Sequence, residues 1–190
     1  MRPSRPLAAA LACALLAPAA ALAEAPAPAK SVEVERYTGR WHEIARMPNR
    51  TQAGCEAPTA DYAVAGDKLS LVQTCRKGSP SGPEKVYRAS GRILDPGRNA
   101  KLRLTFLSVI TREFWILDRA LDYSWAVVGD PKGKLLWLMS RKPKPTPAER
   151  ETMVAAAEAL GYDIARLEFP VQEAEPSADA SETPEPRRRG

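Results

Sequence analysis

Few residues in this chain have the chemistry of a catalyst. Its single histidine, His42, is followed directly by Glu43, and adjacent side chains of an extended segment point to opposite faces, so the two make no acid–base dyad. His-based hydrolase triads and His-centred metal sites thereby lose their usual parts. Cysteine is the remaining nucleophile, at Cys13, Cys55 and Cys75. A free thiolate at Cys55 or Cys75 would support covalent chemistry, whereas a disulfide would only brace the fold. The compartment decides between them.

The first residues name that compartment. Arg2 and Arg5 precede an apolar run from Leu7 to Leu16 and a small-x-small site at Ala21-Leu22-Ala23, the pattern of a secretory signal peptide cleaved after Ala23. Pro18 interrupts the run, which is too short for a membrane anchor. Cys13 lies within it and is read as filler, because Leu11 stands one place too close for a lipidation site. Export leaves Cys55 and Cys75 in an oxidising compartment, flanking a turn at Gly66-Asp67, and predicts that they pair. Their distances from the turn differ slightly, so pairing requires a bulge near Pro58.

With 190 residues and 44% hydrophobic content the chain can bury one core. The formal charge of +5 falls to +3 once Arg2 and Arg5 are removed. The bases are scattered (Arg76, Lys77, Arg88, Arg92, Arg98, Lys101, Arg103, Arg141, Lys142, Lys144) without an aromatic or zinc-finger motif, so no nucleic-acid partner is expected. Residues 24–31 read as an Ala/Pro linker and 171–190 as a disordered tail, leaving 32–170 as the folded domain.

That domain alternates with period two. Runs at 39–47, 59–64, 69–75, 85–93, 101–108, 112–118, 123–129 and 134–140 predict eight short antiparallel strands, punctuated by Gly66-Asp67, Asp95-Pro96-Gly97 and Asp130-Pro131-Lys132-Gly133. One helix follows: Thr146 caps, Pro147 fits the first position, Glu149 completes a capping box, and Gly161 stops it. The run at 165–171 adds a strand or packs beside the helix. Eight sequential strands lose their edges by closing, so the fold class is all-β, an eight-stranded antiparallel up-and-down barrel with one C-terminal α-helix. A two-sheet sandwich is the alternative.

A closed barrel of eight has room for one small ligand. Leu102, Leu104 and Phe106 alternate with polar neighbours and face inward, as do Tyr87, Ala89 and Ile93; small Ala89 and Gly91 argue for space. Tyr62, Trp115 and Trp125 complete the expected lining, although 112–117 and 123–129 are apolar on both faces. At the other end Gly39 admits the backbone closely and Trp41 seals the floor, with Arg141 laid on its indole for roughly 0.5–2 kcal/mol.

These residues resemble the lipocalin family, and within it the bacterial outer-membrane and apolipoprotein D-like branch. Gly39-Arg40-Trp41 resembles the family's Gly-x-Trp element, with GRWHEIARMPN and Asp61-Tyr62 similar to the first two strands of that branch. Asp122-Tyr123-Ser124-Trp125-Ala126, then Val128-Gly129, resembles the second signature; Trp137 with Ser140-Arg141 resembles the third. His42 stands where the family often has Tyr, and the mature N-terminus has no lipoprotein Cys. The residues argue against an enzyme and call for no cofactor, and the resemblance implies a binding protein. Such a protein carries or stores small lipophilic ligands (fatty acids, lysophospholipids), acyl chain down toward Trp41, in the periplasm, with outer-membrane association and peripheral membrane contact open. A Cys-dependent isomerase and a structural envelope protein with a filled barrel are the alternatives.

Overall fold

The computed structural model describes residues 25–66 and 68–172. The expected signal peptide and most of the expected tail lie outside them. Eight strands appear in the expected order: β1 (Gly39–Arg46), β2 (Cys55–Ala65), β3 (Lys68–Lys77), β4 (Glu84–Ile93), β5 (Lys101–Phe106), β6 (Ile110–Arg119), β7 (Trp125–Gly129) and β8 (Leu136–Ser140). Each pairs antiparallel with the next and β8 returns to β1, His42 opposite Ser140 and Arg46 opposite Trp137, so the barrel is closed. The connections after β1, β3, β5 and β7 gather at one end, the mouth. Those after β2, β4 and β6 gather at the other, the floor, where a single-turn helix, α1 (Val34–Tyr37), enters.

The second helix, α2 (Pro147–Ala159), starts on the expected capping box: the Glu149 N–H donates to Thr146 Oγ1 and the Thr146 N–H to Glu149 Oε2. It buries Met153 and Ala157 against Leu117, Val127, Leu136 and Leu138 on the outside of the barrel. A separate cluster inside holds Trp41, Tyr62, Leu71, Leu102, Leu104, Ile116 and Val128. Strands β6 to β8 therefore bury both faces, one against the lumen and one against α2.

Three bulges interrupt the alternation. One, between Glu56 and Thr59 and containing Pro58, brings Cys55 and Cys75 within 5.4 Å Cα to Cα, and the two form the expected disulfide. The others put one extra residue into β1 at Ile44 and into β6 at Leu117. Each extra residue shifts the inward face by one position.

The linker and the first residues of the expected tail are docked, and the run at 165–171 makes a single bridge to β1. In the 24–31 linker, the Ala25 and Ala29 N–H groups donate to Pro131 O and Leu117 O, Lys30 pairs with Asp118 at 2.7 Å, and Pro28 O accepts from Arg98. Beyond the helix, Glu168 bridges Arg46 through both backbone groups, Ala57 N–H donates to Val171 O, and the Gln172 amide donates to Glu43 O. This strip fills the gap where β1 and β2 part beyond His42. Proline and alanine say little about such docking, because the backbone makes most of the bonds.

Candidate functional site

The floor is built as the Gly-x-Trp pattern suggests. Gly39 has φ +88°, a conformation that favours glycine, and it turns the chain from α1 into β1. Trp41 is fully buried and donates its indole N–H to Tyr37 O at 2.8 Å. The Arg141 guanidinium lies 3.8 Å from the centre of that indole and donates to the carbonyls of Arg36, Tyr37, Thr38 and Arg40. It thus ties off the C-terminal carbonyls of α1 while covering the ring. Asp122 accepts from the Ser124 N–H and hydroxyl, bonds that hold its carboxyl below the usual range, and shapes the β6–β7 turn in which Tyr123 has φ +63°. The Tyr123 ring is sandwiched by Arg36 and Arg119, and its hydroxyl accepts from the Glu33 N–H.

Above the floor the lumen is packed rather than hollow. The Tyr37 ring lies tilted against Trp41 and Tyr62, centroids 5.1 and 5.2 Å away, and Leu71, Leu102, Leu104 and Ile116 pack in the same buried cluster. Burial pushes the Tyr62 hydroxyl up to about 12 and raises that of Tyr37 well above its ordinary value. Two cavities, one beside Tyr37 and Ile93 and one beside Glu43 and Trp137, each offer about 10 Å³, the room of roughly one water. An acyl chain therefore cannot reach down to Trp41 in this conformation.

Of the expected lining residues, Tyr62, Tyr87, Ala89, Ile93, Leu102, Leu104 and Phe106 share the inward face through the pairs Gln73–Tyr87, Leu71–Ala89, Ala89–Phe106, Gly91–Leu104 and Ile93–Leu102, with Tyr62 opposite Leu71. Trp115 and Trp125 do not. Both pack in the outer cluster with α2, and Lys101 lies 4.0 Å from the Trp115 ring. Their strands are apolar outside because α2 covers them. Gly91 also corrects its expectation: a Cβ there would lie 1.8 Å from Arg103 O, so the missing side chain serves a close crossing of β4 and β5 and opens no space.

The upper lumen is the candidate site. Phe106, Phe114 and Trp137 form a half-buried aromatic wall, rings 6.4 and 5.4 Å apart, beneath the exposed Tyr87. Facing them is a polar group. Glu43, two residues beyond Trp41, points inward; the bulge at Ile44 then turns Arg46 inward as well, opposite Trp137. Arg46 Nη1 donates to Glu43 Oε1 at 2.9 Å, Gln52 Nε2 donates to Oε2 at 2.6 Å, and Trp137 Nε1 donates to Gln52 Oε1 at 2.8 Å. Arg46 Nη2 also reaches the Gln52 and Cys55 carbonyls. Burial pushes the Glu43 carboxyl up, and Arg46 and Gln52 offset only part of that. Glu43 could have been read from its spacing to Trp41; Arg46 could not, because the bulge leaves no mark in the pattern.

The chain's matches with known proteins agree with this geometry. Residues 32–172 match the family model described as a lipocalin-like domain. Temperature-induced lipocalin-1 of Arabidopsis thaliana is 31% identical over 147 residues, 73% of this chain and 78% of that protein. Outer membrane lipoprotein Blc of Escherichia coli K12 is 28% identical over 137 residues, 71% and 76% of the two chains. Among solved structures, lobster apocrustacyanin A1 superposes with a TM-score of 0.59 at 18% identity, over 80% of this chain and 92% of that one. Insecticyanin of Manduca sexta gives 0.60 at 20%, over 77% and 84%.

Proposed function

The chain belongs to the lipocalin-like family, and on that premise we propose that it binds a single-chain lipid, a fatty acid or lysophospholipid, in the upper half of its barrel and carries or stores it in the cell envelope. The observation that carries this reading is the half-buried wall of Phe106, Phe114 and Trp137 above a sealed floor. The chain enters between these rings, displacing Phe114 and Trp137 side chains, while the headgroup stays at the mouth. A 16-carbon chain gains on the order of 12 kcal/mol at ~0.8 kcal/mol per buried methylene, and ordering costs of roughly 4 kcal/mol leave micromolar affinity.

Binding is favoured over chemistry because Cys55 and Cys75 are joined, which leaves neither as the thiolate an isomerase needs. The exported state rests on the residue 1–23 signal; cleavage after Ala23 would spare the docked segment that begins at Ala25. Intact-mass measurement of the secreted protein should find Glu24 first, with no acyl adduct.

A filled-barrel structural role is the second reading, favoured by the 10 Å³ cavities. Titration with a fluorescent fatty acid, displaced by lysophospholipid, separates the two. Saturable binding that Phe114→Ala alters supports the carrier. Failure of both native and delipidated protein to bind at ~100 μM, far weaker than the expected range, leaves the structural role.

A further inference from the structure

A barrel with a packed lumen must widen to take a ligand, and a continuous hydrogen-bonded ladder resists widening. The seam between β1 and β2 is where the ladder stops. The two strands pair from Gly39 opposite Tyr62 to His42 opposite Thr59, and then both run on toward the mouth without pairing. Among the described residues no other neighbouring strands do this, because elsewhere one strand of the pair ends where its ladder ends. Each edge of the resulting slot is held from behind. On the β1 side Glu43 and Arg46 pair with β8, and on the β2 side the Cys55–Cys75 disulfide ties the edge to β3. The edges can therefore part without unravelling a strand.

Two fastenings bridge the slot. Outside lies the strip 168–172: Glu168 exchanges both backbone bonds with Arg46, and the Gln172 amide donates to Glu43 O. On the β2 side Val171 O accepts from the Ala57 N–H, and the Val171 N–H donates to Glu56 Oε2. No residue of the strip is buried, and Phe169 and Val171 are 47% and 59% exposed, so little apolar packing holds it down. Inside, Arg46 reaches from β1 to the Cys55 carbonyl on β2 and to the Gln52 carbonyl in the connection, with Glu43 beside it. Directly behind are Trp137, opposite Arg46 on β8, and the cavity beside Glu43, Phe114 and Trp137.

We propose that this slot is the expansion joint of the barrel: strip 168–172 lifts, Arg46 releases the Gln52 and Cys55 carbonyls, and the acyl chain of a single-chain lipid slides in sideways beside Trp137. The slot meets the mouth at its upper end, so the headgroup stays in water while the chain goes down. The carbonyls that Arg46 lets go lie at that wet end and are satisfied by solvent while the joint is open. Closing the strip over the filled lumen restores every bond that opening broke. The joint rests on the ligand reading for its cargo, whereas the opening itself rests on the seam alone.

Stopped-flow binding of a fluorescent fatty acid to the full secreted chain is the test. Glu168→Pro with Gln172→Ala removes bonds that fasten the strip to β1 and leaves Glu43 and Arg46 in place. Association and dissociation should both quicken about tenfold, the shift that losing ordinary hydrogen bonds gives an opening equilibrium, while the dissociation constant moves less than about threefold. Lys30→Ala loosens the other docked segment, at Asp118 on β6, and should leave both rates alone. Unchanged rates in the strip variant overturn the joint. So does weaker binding at an unchanged association rate, which would make the strip a wall of the site. Hydrogen exchange of the native chain decides the matter if the variant does not fold. The amides of Arg46, Ala57, Glu168 and Val171 should exchange as one group, well ahead of the β3–β4 ladder. Exchange as slow as that ladder, with the probe bound, sinks only the joint. Seam amides that open as one group in a protein that binds no probe confirm the opening and sink the ligand reading.

Discussion

Both ends of the barrel use the same device, a bulge that turns an arginine inward, and they use it differently. At the floor the bulge at Leu117 brings Arg119 inside, where it donates to the Ser31 and Ala120 carbonyls and lies 4.1 Å from the Tyr123 ring centre. At the mouth the bulge at Ile44 brings Arg46 inside, where it meets the buried carboxylate of Glu43. Neutral carbonyls and a ring cannot lose their partner role with pH. A carboxylate can. The floor is therefore a fixed seal, whereas the mouth is held by a group whose charge depends on the solution.

The largest expected loss tests the seal. Trp41→Ala should cost about 3–5 kcal/mol in denaturant unfolding, as deletion of a fully buried aromatic does. Reduction of the disulfide, or paired Cys55→Ala and Cys75→Ala, should cost roughly 3 kcal/mol for a closed loop of about 20 residues.

Arg46→Met against Arg119→Met sharpens the contrast. Each should be destabilising near neutrality, Arg46→Met by about 3–5 kcal/mol because it strands a buried charge. The Glu43 carboxyl titrates above its unfolded value, so the folded state binds more protons between the two values; the stability this confers is full below the unfolded value and is lost as pH rises through the folded one. The Arg46→Met loss should therefore shrink on acidification, while the Arg119→Met loss keeps its size. Parallel pH profiles for the two variants would erase the distinction between the ends.

Smallest is the effect at the lid of the floor. Arg141→Ala should cost about 1–2 kcal/mol, and a double-mutant cycle with Trp41→Ala should show a coupling of roughly 0.5–2 kcal/mol. Additive losses would mean that the guanidinium acts only on the α1 carbonyls.

The barrel was legible in the sequence because β3, β4 and β5 alternate, the other strands are short apolar runs, and the turns between them are short. The floor was legible too: Gly39, Trp41 and Arg141 are residues whose types leave few other roles. The upper lumen was less so. Alternation fixes a face only until a bulge, and Arg46 lies past one. It also fails where both faces are covered, which is why Trp115 and Trp125 were expected in the lumen and lie under α2. Gly91 looked like space for a ligand, although absence of a side chain serves equally well for two backbones that cross.

The strip from Glu168 to Gln172 closes the seam between β1 and β2, and β8 closes the other side of β1. Strand β1 is thus among the first parts of the domain to be made and the last to be satisfied. Beyond its early pairing with β2 at Gly39–His42, the partners that complete it are distant in sequence, and contacts between such distant segments form slowly. A nascent chain of this design has no closed barrel to fall into until β8 and the strip from Glu168 to Gln172 have been made.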